Sequence, residues 1–395
     1  MARKKRRKVA TPRLLTKKQR SRAEREARMN RWIIAGVITV GVVVVAILTY
    51  GYLVEEVFKA REPVATVGGV VITAADFETR IRYHRVSLRQ ELNRYTAQRM
   101  ALDPTDPETV PLFDQLDEAI RRLEAQLAPE YAPVLGGQVL DQMVQEELIR
   151  QEAARRGITV SQEEIDRAIE QQFGYDRDGS AGGMAPPLSG PVTATQPITP
   201  TGSLTREEFE QNYQAYVEAI LEPSGLGEEG FRALAEVSLL YDKVREAVVS
   251  GIPTLMDQVQ AHYITFPSEE EAVQVVERLD AGETWEDIVA EIEADEESAA
   301  FVGELDWRTE VFVAEQFGAE ISQAVFDAPV GTYTQPLLGV SGRYYVLRVL
   351  GHEERELDPL MLVFERDRAF REWFNLQRQS VEYADDWQEK VPTRP

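Results

Sequence analysis

The sequence predicts an α+β protein tethered by a single N-terminal transmembrane helix, and three observations carry that prediction. Residues 32–54 form a run of 23 positions without a charged side chain. Residues 138–250 place apolar side chains at helical spacing, with capping residues where the stripes begin. Residues 259–266 and 342–350 read as strands and enclose two capped helices.

The uncharged run is the first element. As a helix it spans about 34 Å at ~1.5 Å per residue, enough for a ~30 Å hydrocarbon core. Trp32, Tyr50 and Tyr52 lie near its ends, where amphipathic rings favour the membrane interface. The run exceeds the ~7–15 residues of a signal-peptide core and no clean A-x-A site follows it, so an uncleaved anchor is expected. Residues 1–31 carry fourteen Lys and Arg against two acidic residues, out of 44 basic and 67 acidic in the chain, which leaves 30 basic and 65 acidic beyond them. By the positive-inside rule the tail stays in the cytoplasm and the acidic bulk lies outside, in the cell membrane's extracytoplasmic space. The acidic bulk also argues against nucleic acid as a partner. No cysteine is present, which excludes disulfides, thiol chemistry and a lipidated cysteine anchor. The three histidines, His84, His262 and His352, have no ligand-like spacing, so no metal and no cofactor are expected.

Beyond the anchor, residues 62–250 read as one mostly helical lobe. VATVGGVVIT over residues 64–73 gives two short strands around a Gly-Gly turn. Thr73 then caps a helix toward Met100, with Asp76 three residues on, and a second helix runs from about Glu108 to Leu127. Residues 138–156 form a third, with Val139, Leu140, Met143, Val144, Leu148 and Ile149 on one stripe and Gly157 as the stop. Ser161 and Glu164 form a capping box for the next helix. Residues 176–203, rich in Gly, Pro, Ser and Thr, read as an insertion unable to bury a core. Phe209, Tyr213, Tyr216, Val217 and Ile220 resume the helical period, and a last helix runs from about Gly230 to Ser250. A short linker at 251–253 leads into a second lobe at 256–352, in which Ser268 and Thr284 cap two helices around an Ala281-Gly282 break. Residues 358–391 form an amphipathic C-terminal segment with Phe370, Trp373, Phe374 and Trp387.

Two stretches resemble a known family. The strand–turn–strand–helix start, together with EELIRQEAARRGITVSQEEID over residues 146–166, resembles the N-terminal chaperone lobe of SurA/PrsA-type foldases. DEESAAFVGELDW over residues 295–307 resembles the D-x-x-S-A-x-x-G-G-D-L-G-W run of parvulin peptidyl-prolyl isomerases. The resemblance implies an antiparallel sheet wrapped by helices over 256–352. It also implies a C-terminal helix that packs back on the N-terminal lobe.

It further implies a membrane-anchored extracytoplasmic folding factor that binds unfolded, proline-containing exported chains and speeds rotation about Xaa–Pro bonds. That rotation faces a barrier of ~18–20 kcal/mol because the twisted amide loses its conjugation. No metal and no covalent intermediate are needed. A catalyst grips the ring in an apolar cup and surrounds the twisted amide with suitable electrostatics. Carried over residue by residue, Asp295 falls on the family's Cys/Asp position, and Leu305, Phe317 and Ile321 on its apolar cup. Trp307 matches the aromatic after the glycine-rich run, Phe326 anchors the count of the following helix, and Ser341 lies near a small polar position before the last strand. The family's two histidines are replaced. HYITF at 262–266 puts Tyr263 at the first position, with His262 on the opposite face, and YYVLRV at 344–349 puts Tyr345 at the second. Two readings stay open: a catalytic isomerase, or a non-catalytic holdase whose parvulin-like lobe only binds peptides. Oligomeric state is not legible.

Overall fold

A computed structural model of the protein describes residues 39–45, 59–106, 108–177, 204–295 and 297–392. The basic tail, most of the uncharged run and positions 178–203 of the insertion lie outside the described residues. Of the run, residues 39–45 are described and are helical. Among the described residues no helix is long and apolar enough to cross a membrane. The fold is mixed helix and antiparallel sheet, and the chain divides into two compact units. Unit 1 comprises Met1–Val144, Gln214–Glu228 and Glu382–Pro395, and unit 2 comprises Gln145–Tyr213 and Glu229–Val381. The boundary falls within a helix, so the helical lobe read from the sequence is divided between both.

In unit 1, strands β1 (Pro63–Val67) and β2 (Val70–Thr73) form the expected hairpin. Gly68 and Gly69 turn it with φ of 55° and 87°, values open to glycine at little cost. Helix α1 (Ala74–Met100) starts where expected, with Thr73 Oγ1 accepting from the Asp76 amide at 3.2 Å. Phe77 and Ile81 are fully buried, and Tyr83 beside them shares a 2.7 Å hydrogen bond with the hydroxyl of Tyr216. Helix α2 (Val110–Leu127) packs on α1 through Leu116 and Leu123. Helix α3 (Ala132–Arg156) begins six residues before the stripe that predicts it and runs through Gly136 and Gly137. Packing explains this: a Cβ on Gly136 would stand 2.5 Å from Val391 Cγ2 and 3.4 Å from the Trp387 ring. The chain end thus fills the notch that the glycines leave. Trp387 also meets Phe77 edge-on at 6.3 Å, and β7 (Val381–Tyr383) joins the sheet in the order β2-β1-β7.

Unit 2 contains the end of α3, helix α4 (Gln162–Gln172), most of α5 (Arg206–Tyr216) and most of α6 (Gly227–Val249). The Ser161–Glu164 capping box forms in both directions, at 3.2 and 2.8 Å. A four-stranded antiparallel sheet follows in the order β4-β3-β6-β5, built from β3 (Leu255–Phe266), β4 (Phe301–Thr309), β5 (Leu337–Leu338) and β6 (Tyr344–Glu356). Strands β3 and β6 run four and six residues beyond the alternating stretches read from the sequence. Their added residues pair with each other from Leu255↔Glu356 to Gln258↔Glu353, so cross-strand hydrogen bonds extend what hydrophobic alternation does not announce.

Helices α7 (Glu269–Asp280) and α8 (Trp285–Ala294) cover one face of this sheet, over Ile264, Phe266 and Val346. Helices α9 (Glu310–Phe317) and α10 (Ala319–Asp327) cover the other, over Ala261, Leu305, Leu347 and Val349. Helix α11 (Pro359–Arg378) docks on α6 through Phe370, edge-on to Tyr241 at 5.3 Å. It also holds β4: Thr309 Oγ1 donates to the buried Glu365 carboxylate at 2.5 Å, and Arg368 closes on Glu365 at 2.8 Å.

Candidate functional site

Side-chain alternation decides which residues of β3 and β6 meet. Thr265 pairs with Tyr345 and Tyr263 with Leu347, so the two tyrosines are diagonal neighbours on the face that α9 and α10 cover. Their rings lie 5.8 Å apart. Phe317, the last residue of α9, meets Tyr263 at 5.4 Å and Tyr345 at 5.7 Å, both edge-to-face. Three aromatic rings thus form one cup at the end of the sheet, with Phe301 tilted against Tyr263 at 6.5 Å. Phe301 is 59% exposed and Val340 68%, so the cup opens onto an apolar rim.

Two glycines give the tyrosines room. A Cβ on Gly303, the β4 partner of Tyr263, would lie 2.2 Å from its Cζ and 2.4 Å from its hydroxyl. A Cβ on Gly339 would lie 2.4 Å from Cε2 of Tyr345. Each ring therefore lies close against a neighbouring glycine. The Val340 amide donates to the Phe317 carbonyl at 3.0 Å, which ties the 339–342 turn to the end of α9.

Tyr345 and Ser341 share a hydrogen bond of 3.0 Å between hydroxyls. The Tyr263 hydroxyl has no hydrogen-bond partner among the described residues. Burial, and then the neighbouring Tyr345, push its ionisation above the usual tyrosine range. It is a neutral donor at any physiological pH. His262 points to the other face, as alternation requires, 3.6 Å from Glu304 and away from the cup.

The remaining predicted residues are spread through the lobe. Asp295 is exposed in the turn after α8, where its carboxylate accepts from the Glu297 amide at 3.0 Å. No hydrogen bond joins it to Tyr263 or Tyr345 among the described residues. Leu305 is 4% exposed and Ile321 fully buried, so both underlie the cup rather than line it. Trp307 lies across Gly351, whose added Cβ would come within 2.5 Å of its ring, and Arg355 stacks on it at 4.4 Å. Phe326 packs edge-on against His352 at 5.3 Å. Among the described residues, no group of acidic or histidine side chains could hold a metal ion. Phe301, Gly303, Gly339 and Val340 were not singled out by sequence reasoning. The glycine next to each aromatic strand was the available signal, but only strand pairing shows which ring it faces.

Comparison with known proteins gives three results. A family model for the SurA-like N-terminal domain matches residues 111–181. The foldase protein PrsA of Halalkalibacterium halodurans is 26% identical over 248 residues, covering 60% of this chain and 66% of that protein, a little under two thirds of its length. Among solved structures, the peptidylprolyl isomerase PrsA of Bacillus anthracis aligns at 15% identity with a TM-score of 0.31, covering 64% of this chain and 95% of that one. PrsA of Bacillus subtilis aligns at 18% identity with a TM-score of 0.20, covering 65% and 82%. The sequence matches bear out the resemblance to SurA/PrsA-type foldases.

Proposed function

We propose that the chain is a membrane-anchored, extracytoplasmic folding factor that binds unfolded exported polypeptides and uses its 256–352 lobe to grip Xaa–Pro segments. The observation that carries this reading is the cup of Tyr263, Phe317 and Tyr345, open to solvent beside Phe301 and Val340. A proline ring is compact and apolar, and it packs against aromatic faces. The anchor, with residues 1–31 cytoplasmic, is supported by the uncharged run and the basic residues before it.

We assign the chemistry as peptidyl-prolyl cis–trans isomerisation. As the amide twists, its nitrogen regains a lone pair and becomes a hydrogen-bond acceptor. A neutral phenol that stays protonated can donate to it or to the carbonyl oxygen. Tyr263 has such a hydroxyl uncommitted, and that of Tyr345 is oriented by Ser341. Interactions stronger in the twisted state than in either planar form lower the barrier. Leu305 and Ile321 fix the floor, while Trp307 and Phe326 brace the far end of the sheet. Asp295 would act from the rim, as a charge near the entering peptide.

The second reading is a holdase. It is favoured by the same two tyrosines, which stand where the family has histidines. One experiment separates the two. The full chain in detergent micelles is mixed with a proline peptide, and cis–trans exchange is followed by NMR; aggregation of an unfolded client is followed in parallel. Faster exchange that falls about tenfold in Tyr263→Phe, with binding retained, supports the isomerase. Binding and suppressed aggregation without faster exchange support the holdase. Neither binding nor protection of the client would sink both. Protease added to intact cells tests the topology, since the bulk of the chain should be digested.

A further inference from the structure

We infer that the cup selects an acidic residue adjacent to the proline, through Arg343. This inference rests on the peptide-binding reading above and names the substrate class of that site. Arg343 Nε donates to Thr265 Oγ1 at 2.9 Å, and its Nη2 donates to the Thr265 carbonyl at 3.1 Å and the Ala299 carbonyl at 2.5 Å. All three acceptors are neutral. Nη1 has no acceptor among the described residues, and no carboxylate forms an ion pair with the guanidinium among them. By contrast, the nearby Arg348 pairs with Glu286 at 2.6 Å. An arginine with no ion pair among the described residues is notable in a chain of 67 acidic and 44 basic residues.

Its position gives the charge a purpose. Thr265 is the direct cross-strand neighbour of Tyr345 and shares a face with Tyr263. Neighbouring Cβ atoms on one sheet face are ~4.5–5.5 Å apart. A guanidinium anchored on Thr265 is therefore about one residue from the cup along an extended peptide, which advances ~3.3–3.6 Å per residue. Ala299, its other anchor, lies two residues before Phe301 on the apolar rim. Three hydrogen bonds fix the fork before any peptide arrives, so little side-chain entropy remains to be lost on binding. The two N–H groups of Nη1 suit a carboxylate oxygen.

The bland alternative is that Arg343 is only a strut joining β3 to the loop before β4. The test uses the full chain in micelles and the peptides Ala-Xaa-Pro-Phe and Ala-Ala-Pro-Xaa, with Glu, Ala or Lys at Xaa. Binding is measured by NMR titration at low and high salt. In one of the two series the Glu peptide should bind about two- to fivefold more tightly than the Ala peptide, and the Lys peptide more weakly. The preference should fade with salt, vanish in Arg343→Gln, persist in Arg343→Lys and reverse in Arg343→Glu. Equal affinities in both series, or a preference that survives Arg343→Gln, would overturn the inference while leaving peptide binding intact. A lower melting temperature in Arg343→Gln with unchanged selectivity would make Arg343 a strut, also overturning it. Absence of binding by every peptide would instead refute the peptide-binding reading itself, and this inference with it.

Discussion

Replacing Gly303 by alanine tests whether the aromatic cup depends on close approach to the neighbouring strand. The new Cβ would stand 2.2 Å from Tyr263 Cζ and 2.6 Å from its Cε2. Ordinary carbon contacts lie at ~3.5–4.0 Å, so the ring must move by about 1.5 Å. Gly303 does not occupy the left-handed region, so the cost comes from crowding rather than from backbone strain. Tyr263 can swing outward, but it then loses its edge-to-face contact with Phe317 and its tilted contact with Tyr345. Such pairs are worth ~0.5–1.5 kcal/mol each beyond area burial. Overpacking typically costs ~1–3 kcal/mol, and the swing should keep Gly303→Ala near the lower end of that range. Peptide affinity should fall about tenfold, because one wall of the cup is displaced. The control is Gly282→Ala, where φ is 96° and no atom lies within 4 Å of the added Cβ. Strain alone should cost it ~1 kcal/mol, with peptide binding unchanged. Urea denaturation and NMR titration measure the two effects. If Gly303→Ala binds peptide like the parent with unshifted Tyr263 ring signals, the cup does not depend on this approach and the argument fails.

Three further outcomes are expected. Gly136→Val should expel the chain end from its notch, since even a Cβ there meets Val391 at 2.5 Å; limited proteolysis should then cut within residues 384–391, with a stability loss of ~1–3 kcal/mol. Glu365→Ala should destabilise by ~1–3 kcal/mol in urea, because it leaves the buried Thr309 hydroxyl without its acceptor and Arg368 with Glu372 alone, whereas an exposed pair such as Arg206–Glu210 should matter little. His84 is held down to about 4 from 6.5 by burial first and by the Arg80 charge second, against a hydrogen bond with Gln142. A lowered histidine contributes its stability above the unfolded value and loses it as the pH falls through the folded one. Stability should therefore decline between pH 6.5 and 4, by at most ~3 kcal/mol from this group, and His84→Gln should flatten that slope in denaturation curves taken across the range.

The sequence by itself determined the N-terminal hairpin and the helices after it, strands β3 and β6 with two capped helices between them, and the caps at Thr73, Ser161, Ser268 and Thr284. These are local properties: a capping oxygen reaches an amide three residues away, and alternation assigns each strand residue a face. Tertiary structure decided what those residues touch. Strand register made the two tyrosines diagonal neighbours, and the end of α9 brought Phe317 against both. Gly136 reads locally as a poor helix former, yet the distant Val391 makes its missing side chain necessary. Ile321 read as part of the cup and lies beneath it, because helical spacing predicts burial but not depth. Arg343 is one arginine among many in the sequence. Only the pairing of β3 with β6 sets it on Thr265 beside the cup, since contacts between residues 78 positions apart are fixed by packing and hydrogen bonding rather than by neighbours in the chain.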